Sequence, residues 1–121
     1  MENTEVVDTT SKYIVKTTGI GSETDEVLVN AETELTGGTD ESKVSLIECF
    51  YLIEGTGTLD IEVGTPAYDG GYTKLSLTGK GKYGLRPGQL KFGNDKIFKL
   101  TTDSIITSYL LVTEFRRETN G

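Results

Sequence analysis

The stretch KVSLIECFYLIE, residues 43–54, is the longest apolar run in the chain. At period two, Ile47, Cys49, Tyr51 and Ile53 form one unbroken apolar face, and Leu46, Phe50 and Leu52 lie on the other with Glu48. A helix competes for a run of this length. Val, Ile, Tyr and Phe dominate it, however, and Gly55 follows at once, which favours a strand. A strand apolar on both faces lies centrally in a sheet, or has its second side covered by a partner.

Shorter segments of the same kind flank it. KYIVKTT (12–18) and EVLVNAE (26–32) read as strands around the loop GIGSETD, and LTGGTDES (35–42) is rich in turn residues. EGTGT (54–58) is a Gly-bearing hairpin turn. LDIEV (59–63) alternates cleanly, placing Leu59, Ile61 and Val63 inward and Asp60 and Glu62 outward. After the turn signal YDGG, YTKLSLT (72–78) alternates again. GKGKYGLRPG (79–88) reads as an irregular connection, and QLKFG (89–93), KIFKLTT (96–102) and SIITSYLLVTEFRR (104–117) as strands. Residues 1–11 have no period and several charges, which predicts a flexible or partner-ordered arm. Residues 118–121 are a polar tail. Seven or eight short strands with evenly spaced turns and no convincing helix predict one all-β domain over 12–117. Its expected form is an antiparallel β-sandwich, jelly-roll-like.

Composition narrows the function. The chain has 121 residues, enough for one domain, and only 35% are hydrophobic, so the core is thin and contacts with further copies would add stability. No run approaches the roughly 18 apolar residues of a membrane helix. MENTEVVDTTSK is acidic and polar with no apolar signal region, so a soluble protein made without Sec export is expected. Residues 1–62 hold fourteen acids against three lysines, and residues 63–121 five acids against nine basic residues. The overall charge of −7 argues against nucleic acid as the main partner. The asymmetry either serves head-to-tail contact between identical subunits or vanishes when the two halves interleave in space.

Catalytic chemistry finds little support. The single Cys49 makes no intrachain disulfide, and with no His in the chain the usual activating base is missing. GKGKYG (79–84) matches G-x-G-x-x-G, but a dinucleotide turn needs a following helix, and LRPGQ breaks any helix there. The absence of His argues against zinc or copper; the loop acids Asp40, Glu41, Asp69 and Asp95 leave calcium open but lack EF-hand spacing, and scattered loop acids are usually solvated surface. Glu54, Asp60 and Glu62 are available as a carboxylate pair for glycoside hydrolysis, although strand alternation explains the last two without catalysis. The expectation is a non-enzymatic protein without cofactor or metal.

One segment stands out. In KGKYGLRPGQLK (80–91), Lys80, Lys82, Arg86 and Lys91, with Lys74 nearby, surround Tyr83. A basic loop with an aromatic residue stacks on sugars or bases, or docks on an acidic neighbour; the bland alternative is a solvated loop. The order of YLIEGTGTLDIEV (51–63) and LSLTGKGKYGLRPGQLKFGN (75–94) resembles small β-rich virion structural proteins of tailed phages of marine bacteria, cyanophages included. The likeness covers about residues 43–94, and the acidic N-terminal half departs from it. The resemblance implies a capsid decoration or cement protein on the virion surface. Its partners would be the major capsid protein and copies of itself, with a trimer as the expected form. Lys80, Lys82, Tyr83, Arg86 and Lys91 would be the capsid or subunit contacts. A second expectation is a carbohydrate- or surface-binding sandwich of a tail or fibre, with Tyr68, Tyr72 and Tyr83 stacking on sugars.

Overall fold

Short alternating segments punctuated by turn residues have one economical use for their backbone polar groups, which is to pair as antiparallel ladders. A computed structural model describes residues 1–9, 11–21, 23–24, 26–39, 41–63, 73–84, 92–103 and 105–118. Among these, ten strands form: β1 (Glu2–Asp8), β2 (Lys12–Gly19), β3 (Glu26–Asn30), β4 (Lys43–Gly55), β5 (Leu59–Val63), β6 (Thr73–Leu77), β7 (Lys80–Gly84), β8 (Phe92–Asp95), β9 (Ile97–Thr102) and β10 (Ile106–Glu118). They make two antiparallel sheets. The larger has the order β1-β2-β10-β4-β7, with β8 also on β4; the smaller has the order β3-β9-β5-β6.

The pairing is nested. β5 pairs with β6, β4 with β7 and β8, β3 with β9, and β2 with β10. This is one long hairpin, with its tip between β5 and β6, rolled so that successive rungs fall in alternate sheets. The expected jelly roll is therefore the observed architecture, with β1 added at one edge.

β7 and β8 share one rung. Gly84 stands opposite Glu48, and Phe92 stands opposite Leu46. Both strands therefore lie along the same side of β4, in line with each other.

The core lies between the sheets. Tyr109, Leu111 and Phe115 of β10 and Cys49 and Ile53 of β4 face Leu59, Ile61, Phe98 and Leu100 of the smaller sheet. Phe98 and Phe115 meet edge to face across the layers with ring centres 5.1 Å apart. Aromatic pairs in that arrangement add about 0.5–1.5 kcal/mol beyond the area they bury.

Four local findings differ from the sequence reading. First, β4 does not alternate in one phase. Val44 and Leu46 are inward and so are Cys49 and Ile53, because the β4–β10 register slips between Leu46 and Glu48. Such a bulge inserts one residue and resets the faces. Second, the expected arm is a strand, β1, paired with β2 from Glu2 to Asp8. It shows no apolar period because its first five residues are exposed on both sides at a sheet edge. Third, GKGKYGLRPG is not wholly irregular, since Lys80–Gly84 is β7. Fourth, a single helical turn, α1 (Ala31–Glu34), interrupts the β pattern. The Asn30 side chain accepts from the Glu32 amide at 3.1 Å, and Glu34 reaches back to the Asn30 amide at 2.6 Å. The two orphan donors at the start of the turn are thereby satisfied, in the manner of a capping box.

Candidate functional site

Lys80, Lys82 and Tyr83 all lie on β7, which lines one edge of the larger sheet. Alternation sends them to opposite faces. Tyr83 sits opposite Cys49 and packs, half-buried, against the core. Lys80 and Lys82 point to the outer face, opposite Leu52 and Phe50. Arg86 and Lys91 lie outside the described residues, as do Gly88, Tyr68 and Tyr72. Lys74 stands opposite Glu62 in the smaller sheet.

Lys82 is tied down within its own sheet. Its ammonium is 3.0 Å from the Glu48 carboxylate and 5.0 Å from the centre of the Phe50 ring. A half-exposed ion pair of this kind contributes at most about 1 kcal/mol. It nonetheless orients the lysine across the sheet rather than away from it.

The glycines of β7 serve the strand. Gly81 stands opposite Tyr51, and a Cβ there would lie 2.9 Å from the Tyr51 hydroxyl. Gly84 has φ +105°, and a Cβ there would lie 2.1 Å from the carbonyl oxygen of Ile47. Gly84 thus lets β7 approach β4 at its bulge.

The outer face of the larger sheet carries an apolar band. Phe50 and Leu52 of β4 are 50% and 41% exposed. Leu110 stands beside Leu52, and Val112 beside Phe50, on β10. Together with Gly81 and Tyr51 they line a shallow apolar depression. This is the second face of KVSLIECFYLIE; Lys82 lies over the Phe50 ring, yet Phe50 and Leu52 remain exposed.

The carboxylates considered for hydrolysis do not converge. Glu54 lies at the exposed end of β4, on the outer face of the larger sheet. Asp60 and Glu62 point outward from the smaller sheet, on the other side of the sandwich. Asp60 accepts from the Ser76 hydroxyl at 2.6 Å. Glu62, expected at the surface, is only 3% exposed and accepts from the Thr101 hydroxyl at 2.7 Å.

Other titratable groups serve the fold. Burial, reinforced by the charge of Glu48, pushes the Cys49 thiol up to about 12, so it is not a nucleophile near neutral pH. Burial and the nearby Glu23 likewise raise Tyr109, whose hydroxyl donates to Glu23 at 2.6 Å. Among the described residues, no group of three or more His, Cys, Asp or Glu is placed to hold a metal ion. No helix among them is long and apolar enough to cross a membrane.

Sequence reasoning missed one polar cluster altogether. Asp8 of β1 pairs with Arg117 of β10 and accepts from the amide and hydroxyl of Thr36 at 2.9 and 2.8 Å. Arg117 also donates to the Thr36 carbonyl at 2.9 Å. The three residues clip the first strand, the last strand and the segment after α1 together. Burial tends to raise the Asp8 carboxyl, but its bonds to Arg117 and Thr36 and the Arg117 charge outweigh that and hold it below the usual range.

Among the described residues, then, a jelly-roll core carries an outward apolar band beside two lysines. Comparison with known protein families, with curated proteins and with solved structures finds no match to this chain.

Proposed function

We propose that the chain is a non-enzymatic structural protein of a phage virion, a decoration or cement protein that binds the head shell and stabilises it. The observation that carries this reading is the outward apolar band of Phe50, Leu52, Leu110 and Val112, bordered by Lys80 and Lys82. Exposed apolar side chains rimmed by charge are what a protein needs to bind another protein, and they have no role in a monomer's own core. The fold adds support by analogy alone, since jelly rolls recur in viral capsid domains. The resemblance of residues 43–94 to phage virion proteins points the same way. On this reading the partners are the major capsid protein and further copies of the chain, at the virion surface. Lys80, together with Arg86 and Lys91, would pair with acids of the shell or of a neighbouring copy.

Jelly rolls also occur in lectin domains, which keeps the tail- or fibre-borne sugar binder as the competing reading. Tyr83 weakens it, because the ring is turned to the core rather than presented to a ligand.

The test is to add purified protein to undecorated heads of the phage that encodes it. Cosedimentation with the heads and a higher head melting temperature are expected. If neither occurs, the decoration reading is wrong.

A further inference from the structure

The register of the larger sheet places one complete row of side chains on its outer face. Glu2 stands opposite Thr18, Thr18 opposite Leu110, Leu110 opposite Leu52, and Leu52 opposite Lys80. The row is acidic at one edge strand, apolar in the middle and basic at the other edge strand. Glu2 and Lys80 are both exposed, and neither side chain forms an ion pair with another described residue.

β10 is the third of the five strands in the order β1-β2-β10-β4-β7. A two-fold axis laid along β10, between two sheets stacked face to face, exchanges β1 with β7 and β2 with β4. It brings Glu2 of each copy against Lys80 of the other. It sets Leu110 on Leu110 and Val112 on Val112, and it places Leu52 over Thr18. In the neighbouring row, Lys16 opposite Val112 falls over Phe50 of the other copy, where its aliphatic stem packs beside a ring that already carries that copy's Lys82. Lys82 meets Thr4 and keeps Glu48 as its own counter-ion. The Glu2–Lys80 row is thus complementary to itself under one operation, which is the condition for an isologous interface, while the row beyond Val112 sets Glu114 on Glu114 and Ile14 over Glu48.

We propose that the outer face of the larger sheet binds a second copy of this chain, giving a two-fold dimer with reciprocal Glu2–Lys80 contacts. A shell would then be gripped by other surfaces of the pair. Both readings draw on the same apolar band, and they are told apart because the dimer is measured in the absence of heads.

Within one chain, Glu2 and Lys80 are four strand spacings apart, about 19 Å. That exceeds the Debye length of about 8 Å at physiological salt, so they cannot compensate each other inside a monomer. Charge exchange therefore reports on contact between copies. Sedimentation velocity of the full chain from micromolar to millimolar concentration is expected to show a monomer–dimer equilibrium. Glu2→Lys alone and Lys80→Glu alone each alter two symmetry-related contacts and turn attraction into repulsion, weakening association about tenfold. The double variant Glu2→Lys with Lys80→Glu is expected to restore it to near the original value. Leu52→Asp, at an exposed position, is expected to abolish the dimer while leaving the β circular dichroism unchanged. A monomer at every concentration, a trimer, a dimer indifferent to Leu52→Asp, or a double variant as weak as the singles would each overturn the proposal. Loss of the dimer with head binding intact would leave the decoration reading standing.

Discussion

Two glycines of GKGKYG separate backbone conformation from space. Gly79 has φ +66° and no heavy atom within 4 Å of where a Cβ would stand. Gly84 has φ +105°, with the Ile47 carbonyl oxygen at 2.1 Å and the Glu48 Cα at 2.9 Å. An alanine at Gly79 takes a left-handed conformation at a cost of about 1–2 kcal/mol. The stiffer unfolded chain returns about 0.4–1 kcal/mol of that, so Gly79→Ala is expected to destabilise by about 0.5–1 kcal/mol. At Gly84 the φ lies beyond the left-handed well, where strain runs to about 1–3 kcal/mol. The new methyl group also meets backbone atoms that move only with the β4 bulge, a further cost of about 1–3 kcal/mol. Gly84→Ala is therefore expected to lose about 2–5 kcal/mol, a large part of the stability of a small domain. Urea unfolding followed by far-ultraviolet circular dichroism measures both variants on one scale. The close approach of β7 to the β4 bulge is refuted if Gly84→Ala is no more harmful than Gly79→Ala.

Two further expectations concern groups that titrate. Arg117→Ala leaves the Asp8 carboxylate buried without its cation and is expected to cost about 1–3 kcal/mol in urea unfolding at pH 7. Because Asp8 is held below its ordinary value of 3.8, its contribution is full above that value and is lost as pH falls through the lowered folded value. The gap between native and variant stability should therefore close in strong acid, and a gap that persists there would contradict the ion pair. Cys49, buried and raised to about 12, should resist a thiol reagent at pH 8 in the folded protein and react within seconds in denaturant. Rapid labelling of the folded chain would show the thiol to be accessible.

The sequence announced its strands where one face was buried and hid them elsewhere. LDIEV alternates because its inner residues are wholly enclosed, so period two was plain. ENTEVVD carries no such signal, since a strand at the rim exposes both faces and is held by its ladder to β2. The two apolar faces of KVSLIECFYLIE were legible, but the bulge was not. Its position depends on the pairing of Leu46 with Phe115 and of Glu48 with Glu114, partners far along the chain. The candidate site shows the same limit. Lys80 and Lys82 stood out in the sequence as basic residues, but the spacing of Glu48 and Lys82 along the chain gave no hint that they would touch. Tyr83 was expected at the surface because its neighbours are charged, while the strand phase turns it inward. The clip of Asp8, Thr36 and Arg117 joins three distant segments and leaves no local pattern to find.

The nested pairing has a kinetic consequence. Leu59 meets Leu77, close along the chain, but Thr18 meets Leu110 only after most of the chain has been brought round. Ladders that close such long loops make for high contact order, and all-β domains of this kind fold in milliseconds to seconds rather than microseconds. During synthesis β2 has no partner on its inner side until β10, the last described strand, has emerged. The half of the chain that must wait is the acidic half, residues 1–62 with fourteen acids and three lysines. Mutual repulsion keeps such nascent segments apart. The lopsided charge thus protects the growing chain at the stage when its strand edges stand open.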